Sequence, residues 1–250
     1  MQSKLFLSIV IPAFNETVNF KAGVLKPSFD FLRKQKFSWE VIFVDDGSTD
    51  ETYKLLIDLC HKNKNCRVLR ISHGGRAAAM AKGMLEARGK YVLYTDFDQS
   101  TSLDQVVPFI KSLKSGYDVA IGSRGYGTTV RYDSILNKVR AGVFARLSRA
   151  LLLPGIVDTS CGFKLYTNDA AKKIFSSLKV SIPRNLKDAY MGAVDTEILF
   201  LARRFGFRID QIPVNWVRRP GTRLNVIMEV SRIMKDMFLL KYYALSGKYE

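Results

Sequence analysis

The first half of the chain alternates short apolar runs with amphipathic stretches. The apolar runs are rich in Val, Ile, Leu and Phe, which predicts buried β-strands. They lie at 5–12, 39–44, 67–72, 90–95 and 117–122. Between them, apolar residues spaced three and four apart predict helices at 17–35, 50–62, 75–88 and 102–115. This alternation indicates an α/β fold in which helices cover a mainly parallel sheet.

The alternation ends after Arg124. The elements predicted beyond it are a Gly- and Thr-rich loop at 125–129, a basic amphipathic helix at 134–152, a strand at 162–166, a helix from Asn168, a loose stretch at 180–192, a helix at 195–205, a strand at 207–214 and a helical stretch at 223–245. No internal repeat or low-complexity segment divides the sequence. We therefore expect one domain over 1–250, made of two halves at 1–124 and 125–250.

The composition is that of a globular protein, with 47% apolar and 25% charged residues among 250. No apolar run reaches the roughly 18 residues of a membrane-spanning helix, so any membrane contact should be peripheral. The run at 5–11 indicates the first strand rather than a signal peptide, because no small-residue cleavage pattern follows it. Three cysteines without a CxxC motif, at 60, 66 and 161, predict reduced thiols and a cytoplasmic protein.

The chain carries a formal net charge of +16 that is unevenly distributed. Residues 1–130 hold 18 Lys and Arg against 13 Asp and Glu, whereas residues 131–250 hold 21 against 10. Such an excess suits nucleic acid, an anionic membrane or a phosphorylated substrate, and charge alone does not choose among them. No RNP-like aromatic motif or zinc-finger spacing is present, so we expect no nucleic acid partner.

Polar segments follow each of the first five predicted strands. They are Pro-Ala-Phe-Asn-Glu at 12–16, Asp-Asp-Gly-Ser-Thr-Asp at 45–50, His-Gly-Gly-Arg at 73–76, Asp-Phe-Asp at 96–98 and Gly-Ser-Arg at 122–124. Each alone could be an ordinary turn or helix cap. Open α/β sheets bind ligands beyond the carboxyl ends of their strands, so five such segments at one edge favour a binding site.

Two of these segments indicate a phosphorylated ligand and a metal. At extended spacing Asp96 and Asp98 point to one side and Phe97 to the other, and two like charges so close require a cation. Mg²⁺ or Mn²⁺ fits, because these hard ions bind one or two carboxylates together with substrate phosphates. The Gly74-Gly75 turn before a helix, followed by Arg76, predicts a site for the diphosphate. The GxGxxG fingerprint and the Walker lysine loop are both absent.

The motifs resemble those of inverting family-2 glycosyltransferases with the GT-A (Rossmann-like) fold. They are IVIPAFNE, VIFVDDGSTD, the DxD after the fourth strand, IGSR, DTSCGFKLY and VDTEILFLARRFGFRIDQIPVNW. The chain looks most like the dolichyl- or polyprenyl-phosphate β-glucosyltransferase branch, with dolichyl-phosphate mannose synthase as a near relative. The resemblance implies a nucleotide-sugar donor, a divalent metal and a polyprenyl phosphate acceptor at a membrane face.

The resemblance also implies roles for individual residues. Pro12, Phe14, Glu16 and Asp46 are expected at the nucleobase and ribose, while Arg76, Asp96 and Asp98 are expected at the metal and the sugar diphosphate. The first half, 1–124, would then bind the nucleotide sugar. The chain departs from the family pattern at four places, which are His73-Gly74-Gly75-Arg76-Ala77 in place of Asn-x-Gly-Lys-Gly, Phe97, Gln99 and Ser160.

The acceptor side is expected in the second half of the chain. A phosphate monoester is largely dianionic at neutral pH and is already a nucleophile, so no strong general base is needed. Cations must shield it instead. The acceptor candidates are Ser123 and Arg124 at the end of the first half, with Arg124 also expected to take part in catalysis, and Arg140 and Lys164 in the second half. Asp195 is a further possible active-site residue.

Several functional assignments are left open. We expect glucosyl transfer from UDP-glucose to a polyprenyl phosphate, with mannosyl transfer from GDP-mannose as the alternative; a non-catalytic sugar-nucleotide or membrane-surface binding protein is a further alternative. The protein is expected at the cytoplasmic face of an anionic membrane without crossing it. The helix at 134–152 would lie on that membrane, and the apolar face of the last helix, formed by Val230, Ile233, Met237 and Leu240, is a second candidate. The alternative for both helices is that their apolar faces pack on the sheet.

Overall fold

The computed structural model describes residues 5–124, 153–182, 194–217 and 226–249. Its strands are β1 Leu7–Ala13, β2 Trp39–Asp45, β3 Cys66–Arg70, β4 Tyr91–Thr95, β5 Val119–Ser123, β6 Phe163–Thr167 and β7 Ile209–Pro213. Its helices are α1 Thr17–Lys21, α2 Lys26–Arg33, α3 Thr52–His61, α4 Gly75–Glu86, α5 Val106–Lys114, α6 Asn168–Ser176, α7 Val194–Arg204 and α8 Val226–Leu245, with a short 3₁₀ turn at Leu103–Gln105.

These strands form one sheet in the order β3-β2-β1-β4-β6-β5-β7. Every neighbouring pair is parallel except the two pairs that β6 makes with β4 and β5. The prediction of a mainly parallel sheet flanked by helices is therefore confirmed. The carboxyl ends of β1, β2 and β4 lie at the same edge, and the polar segments that follow them meet there.

Both faces of the sheet are covered by helices. Alternate strand residues such as Val10 and Ile42 pack under α4, α6, α7 and α8, while Ile9 and Phe43 face α2, α3 and α5. Alternation follows from the period of two in a strand, which sends successive side chains to opposite faces. Because both faces are buried, the strands are apolar throughout, as the sequence pattern indicated.

Two predicted helices differ in detail. The stretch 17–35 forms two helices rather than one, since Gly23 adopts a φ of +72° between α1 and α2. That left-handed conformation is open to glycine and disfavoured in other residues, and it ends the first helix. The stretch 102–115 begins with the 3₁₀ turn before continuing as α5.

The cysteine prediction is wrong for one pair. Cys60 at the end of α3 and Cys66 at the start of β3 form a disulfide, while Cys161 is a buried free thiol. The short connection between α3 and β3 brings the two side chains together. The argument from reduced cysteines to a cytoplasmic location therefore fails.

The predictions about membrane helices have different outcomes. Among the helices in the described parts of the chain, none has both the length and the hydropathy needed to cross a bilayer. The amphipathic helix predicted at 134–152, with Arg140, lies outside the described residues. In α8, Met237 and Leu240 are buried, and Leu240 belongs to the core under α4, α6 and α7. For these two residues the alternative therefore holds, and they pack in the core rather than on a membrane.

Candidate active site

A cavity of about 450 Å³ lies where the carboxyl ends of β1, β2 and β4 meet. Its lining is Pro12, Ala13, Phe14, Glu16, Asn19, Asp46, His73, Gly75, Arg76, Ala79, Tyr94, Asp96, Phe97, Asp98, Ser100, Arg124, Ser160, Gly162 and Trp216. Eight of the predicted site residues are among these, namely Pro12, Phe14, Glu16, Asp46, Arg76, Asp96, Asp98 and Arg124. The structure thus brings together residues from all five polar segments.

One end of the cavity carries an aromatic stack. The rings of Phe14 and His73 lie 4.4 Å apart with an interplanar angle of 22°. Phe14 is 37% exposed, so part of its ring remains accessible to a ligand. A flat apolar surface of this kind suits the face of a nucleobase. The sequence singled out Phe14, but His73 was considered only as part of a glycine loop.

Asp46 binds the loop that was predicted to hold the diphosphate. The amides of Gly74 and Gly75 donate to its two carboxylate oxygens at 2.7 and 2.9 Å. His73 Nδ1 lies 3.0 Å from Asp46 Oδ2. The anion at the N-terminus of α4 is therefore a buried carboxylate of the chain itself, which corrects the expectation that these two amides face a ligand phosphate.

Asp96 and Asp98 both face the cavity, as their spacing predicted. The Asp98 carboxylate accepts hydrogen bonds from the Ser100 amide at 2.9 Å and its hydroxyl at 2.8 Å. Asp96 Oδ1 accepts from the Tyr94 hydroxyl at 2.8 Å. Phe97 points into the core, where its ring centroid lies 6.1 Å from that of Phe43. After the end of β4, Asp96 and Asp98 therefore face the cavity while Phe97 faces the core.

Gly162 leaves the space that Asp96 occupies. A Cβ at position 162 would come within 1.8 Å of Asp96 Oδ2, which no pair of atoms tolerates without movement. Position 162 therefore needs glycine for a close approach rather than for its backbone angle. Two departures from the family pattern lie nearby, at 99 and 160. Ser160 lines the cavity. Gln99 instead is buried and bridges Ser28 and the Asp96 carbonyl.

The carboxylates of the cavity suit a divalent cation. Burial raises the pKa of Glu16 above its ordinary value, and the negative charges of Asp98, Asp96 and Asp50 add to that effect, although Asn19 donates a hydrogen bond that acts in the opposite direction. Repulsion of this kind would be relieved by a bound cation. Oxygen atoms of Asp96 and Asp98 are the hard ligands that Mg²⁺ and Mn²⁺ prefer, so these residues fit such an ion.

Arg76 lies behind the carboxylates, at the wall of the cavity. Its Nε donates to the Tyr94 hydroxyl at 2.7 Å, and its Nη2 lies 3.3 Å from Asp96 Oδ1. Burial alone would lower the pKa of Arg76, but Tyr94, Asp195 and Asp96 together raise it well above its ordinary value. The guanidinium therefore stays charged and is engaged with side chains of the chain itself.

Arg124 forms a two-point ion pair that the sequence did not predict. Its Nε and Nη2 donate to the two oxygens of Asp158 at 2.6 and 2.9 Å, and its guanidinium lies 5.5 Å from the Trp216 ring centroid. Burial would raise the pKa of Asp158, but the bonds and charge of Arg124 lower it overall. Asp158 and Trp216 fall within the motifs quoted above, although nothing in their spacing identified them.

Two predicted acceptor residues lie outside the cavity lining. Ser123 is completely buried within β5. Lys164 is also completely buried and lies 2.5 Å from Asp195 Oδ1, so its ammonium cannot meet an acceptor in this arrangement. Both expectations of direct acceptor binding are corrected. Arg140, the remaining acceptor candidate, lies outside the described residues.

The sequence also matches a protein-family model, the one described as glycosyl transferase family 2, over residues 8–175. The chain belongs to that family. The prediction of a glycosyltransferase with a GT-A fold is thereby confirmed. The matched range contains both Asp96 and Asp98 and every other predicted residue of the cavity.

Curated relatives are similar over nearly the whole chain. A dolichyl-phosphate beta-glucosyltransferase from Dictyostelium discoideum is 31% identical over 258 residues, which cover 97% of this chain and 76% of the relative. The human protein of the same name is 30% identical over 257 residues, covering 96% and 76%. The yeast protein of that name is 31% identical over 269 residues, covering 98% and 77%. Membership of the branch suggested by the motifs is thus supported by several relatives.

Solved structures share the fold at lower identity. Glucosyl-3-phosphoglycerate synthase from Mycobacterium tuberculosis, in complex with UDP, superposes with a TM-score of 0.62 at 18% identity and covers 96% of this chain and 81% of its own. A mannosyltransferase from Pyrobaculum calidifontis, in complex with GDP-mannose and Mn²⁺, gives a TM-score of 0.52 at 16% identity, covering 89% and 59%. At these identities the likeness establishes the architecture only.

Proposed function

We propose that the protein transfers glucose from UDP-glucose to dolichyl phosphate or another polyprenyl phosphate, with inversion at the anomeric carbon and dependence on a divalent metal. The observation that carries the proposal is the near-full-length similarity to dolichyl-phosphate beta-glucosyltransferases. The cavity supports it, since it combines an aromatic stack with a carboxylate cluster and an ion-paired arginine.

The donor would lie along the edge formed by β1, β2 and β4. The Phe14–His73 stack would contact the uracil ring, and Pro12 would line the same end of the cavity. Asp46 would act by fixing the His73-Gly74 turn beneath the nucleoside, because its carboxylate is already bonded to that loop. Glu16 would lie toward the ribose, beside the acidic cluster.

Asp96 and Asp98 would hold the Mg²⁺ or Mn²⁺ ion together with the diphosphate oxygens. A bound divalent ion would neutralise charge on the departing nucleoside diphosphate. The contribution of the chain is to keep these carboxylates fixed, through Ser100 for Asp98 and through Tyr94 for Asp96. Fixed donors act without reorganisation at the moment of reaction.

The acceptor would carry its own nucleophile. An oxygen of the dianionic phosphate attacks the anomeric carbon, the bond from that carbon to the diphosphate oxygen breaks, and UDP departs with the electron pair. No proton has to be removed, because a phosphate monoester has its second pKa near 6. Attack from the face opposite to UDP gives inversion. Arg124, on the cavity wall and oriented by Asp158, would guide the acceptor phosphate into line.

The lipid acceptor implies that the protein works against a membrane surface. The described end of α8 presents an exposed apolar stripe of Phe238, Tyr242 and Leu245, spaced four and three residues apart. Lys235 and Lys241 are exposed on either side of it, and Asp236 is buried on the inner face. An apolar stripe flanked by lysines is typical of a helix lying in an anionic membrane interface. We propose that this stripe makes the peripheral contact.

A comparison of two sugar donors with one lipid acceptor tests the proposed reaction. Purified protein with Mn²⁺ would be incubated with UDP-glucose or GDP-mannose, each with polyprenyl phosphate in detergent. We expect glucosyl-phosphoryl lipid and UDP as products, and no product without metal. Mannosyl transfer alone would establish the alternative donor. Binding of UDP-glucose without any turnover would instead favour a non-catalytic binding protein.

A further inference from the structure

A series of ion-paired side chains runs from the buried Lys164 to the partly exposed Asp96 at the cavity. Lys164 Nζ lies 2.5 Å from Asp195 Oδ1. The other oxygen of Asp195, Oδ2, lies 3.5 Å from Arg76 Nη1. The opposite side of the same guanidinium, Nη2, lies 3.3 Å from Asp96 Oδ1. These three contacts link Lys164 on β6 to Asp96 at the donor site, through Asp195 on α7 and Arg76 on α4.

We propose that Lys164 and Asp195 are positioning residues that hold Arg76 against Asp96, and so fix the Asp96 carboxylate for a divalent cation and a diphosphate. The inference rests on the proposed function for the role of Asp96. Neither Lys164 nor Asp195 lines the cavity. Any effect they have on the reaction is therefore indirect, and the ion pairs of Asp195 route it to Arg76.

The location of Lys164 excludes a contact with the acceptor and requires another role. Its side chain is 0% exposed, and a buried ammonium is costly unless it is paired and hydrogen-bonded. Lys164 also donates to the Cys161 carbonyl. On the antiparallel β4–β6 pair it lies directly opposite Tyr94, so the two side chains share the face that is covered by α4 and α7.

Asp195 connects two cations with its two oxygens. Burial alone would raise the pKa of Asp195, but the charges of Lys164 and Arg76 lower it overall, so the carboxylate is ionised. Together with Asp96 the four formal charges cancel. Removal of one member leaves its neighbour as an uncompensated buried charge, which is more damaging than removal of a matched pair.

The contacts of Arg76 with Asp96 and Tyr94 link this series of ion pairs to the donor site. Asp96 Oδ1 accepts from the Tyr94 hydroxyl at 2.8 Å and also lies beside Arg76 Nη2. The same hydroxyl accepts from Arg76 Nε at 2.7 Å. Arg76 thus fixes Asp96 directly and through Tyr94. Two carboxylates that share one cation must keep their separation, and loss of such a supporting contact weakens metal binding by about 10–100-fold.

Mn²⁺ binding is the decisive measurement, because it does not depend on the sugar or the acceptor. The free-Mn²⁺ electron paramagnetic resonance signal would be titrated with protein at saturating UDP. We expect Asp195→Asn to weaken Mn²⁺ binding by about tenfold or more, as for other residues that support a metal ligand. Lys164→Met should have a similar effect. In transfer assays, excess Mn²⁺ should restore much of the lost rate.

Two further variants separate positioning from folding. The double variant Lys164→Met/Asp195→Asn removes a balanced pair, so it should fold better than either single variant yet still bind Mn²⁺ weakly. Glu197→Gln is the matched control, since Glu197 is a buried carboxylate on the same helix whose partners are the amides of 179–181 and the Tyr249 hydroxyl. It should lower stability and leave Mn²⁺ affinity unchanged.

The possible results are distinguishable. Wild-type Mn²⁺ affinity in the folded double variant would overturn the positioning role while leaving the proposed reaction intact. Weak binding by Glu197→Gln as well would also overturn it, because general destabilisation would then explain every variant. If the wild-type protein with UDP binds no Mn²⁺, both the positioning role and the metal-dependent reaction are wrong.

Discussion

Asp46 and Asp96 lie at the same edge of the sheet but are held in opposite ways. The side chain of Asp46 is 4% exposed, and two backbone amides donate to it. The side chain of Asp96 is 39% exposed and is held from behind by Tyr94 and Arg76. A carboxylate already bonded to its own loop orders that loop, whereas an accessible one can bind a ligand. The two acids are therefore assigned different roles.

Asp98→Asn should abolish sugar transfer while leaving the fold largely intact. Asparagine keeps an oxygen that can accept from the Ser100 amide but removes the charge that a divalent cation requires. Transfer would be measured alongside the thermal unfolding midpoint, with Asp104→Asn as a control at an exposed acid outside the cavity. Full activity of Asp98→Asn in the presence of a chelator would contradict the assignment.

Gly162→Ala tests whether the position of the Asp96 carboxylate matters for ligand binding. The added methyl group would overlap the Asp96 carboxylate and push it from its bonds to Tyr94 and Arg76. We expect weaker stabilisation by UDP with Mn²⁺ in thermal shift assays, because a ligand raises the midpoint according to its concentration over Kd. Gly122→Ala, whose new methyl would meet Cys161 Sγ instead, is the steric control. Equal stabilisation of Gly162→Ala and wild type would count against the proposed role of Asp96 in binding UDP with Mn²⁺.

Glu16 should make stability depend on pH in a defined direction. Its pKa in the folded protein is above the ordinary 4.5, so the folded state holds the proton that the unfolded chain loses above that pH. Stability contributed by Glu16 is therefore present below pH 4.5 and lost as pH rises through the folded pKa. Glu16→Gln should unfold at higher urea than wild type at pH 7, with the difference disappearing near pH 4.

The control for this prediction is Glu51, whose pKa is shifted in the opposite direction to that of Glu16. Lys21 lowers the pKa of Glu51 through a hydrogen bond and its charge, so the stability from Glu51 is present at neutral pH and lost in acid. Glu51→Gln should thus be slightly less stable than wild type at pH 7 and equal to it in acid. A Glu16→Gln difference that is the same at pH 4 and pH 7 would show that ionisation of Glu16 is not its cause.

The sequence was informative about which residues meet and less so about what each one contacts. Asp96 and Asp98 converge with Asp46 because parallel strands bring their carboxyl ends to one edge, which is a property of the fold. The orientation of the Arg76 and Lys164 side chains depends instead on their ion-pair partner, which α7 supplies. Asp195 supplies that partner from 31 residues beyond Lys164, and no local pattern predicts such a pairing.

At the scale of elements, periodicity located the strands and helices of the described residues to within a few residues, apart from the break that divides 17–35. It could not give the direction of β6, which runs antiparallel between β4 and β5. An apolar run reads the same in either direction, and strand direction depends on how the chain returns to the sheet. This reversal places Lys164 opposite Tyr94 and Gly162 beside Asp96, so it shapes the candidate site directly.

Tyr249 is hydrogen-bonded to a buried carboxylate on α7. Tyr249 donates to Glu197 at 2.5 Å, and the same carboxylate accepts from the amides of 179–181. Tyr249→Phe should lower the free energy of unfolding by about 2 kcal/mol, typical of a hydrogen bond to a charged group. Urea unfolding measures the loss. Tyr242→Phe, at an exposed ring on α8, is the control and should change stability little.

Activity provides the second readout for this prediction. Glu197 does not line the cavity, so the rate per folded molecule should be unchanged in Tyr249→Phe. A loss of Mn²⁺ affinity together with stability would indicate general destabilisation, as for Glu197→Gln, and would count against a specific positioning role of Asp195. An unfolding curve identical to that of wild type would mean that the Tyr249–Glu197 bond contributes nothing in solution.

At the scale of the whole molecule, charge and exposed apolar surface determine where the protein acts. The excess of 16 positive charges favours an anionic surface in general, but long-range charge alone gives no orientation. The stripe of Phe238, Tyr242 and Leu245 provides one, because Leu240 on the opposite side of α8 anchors the helix in the core. A helix fixed on one face and apolar on the other can present that face to a membrane surface, as proposed above.

Binding to anionic vesicles should therefore depend on both parts of this surface. Each basic residue near an anionic membrane contributes about 1 kcal/mol, so Lys235→Gln/Lys241→Gln should weaken binding by about 2 kcal/mol, roughly thirtyfold, at low salt. Phe238→Ser/Leu245→Ser should weaken it at every salt concentration, since apolar burial is not screened. Co-sedimentation with phosphatidylserine vesicles and with neutral vesicles, across a salt series, separates the two contributions.

The matched control is Val107→Ser, which removes an exposed apolar side chain from α5, on the other side of the sheet. This variant should bind anionic vesicles like the wild type, because α5 does not adjoin the stripe on α8. If Phe238→Ser/Leu245→Ser and Val107→Ser bind equally well, the stripe is not the membrane contact. Equal binding to neutral and anionic vesicles would in turn show that Lys235 and Lys241 do not take part, since a neutral surface provides nothing for their charges to attract.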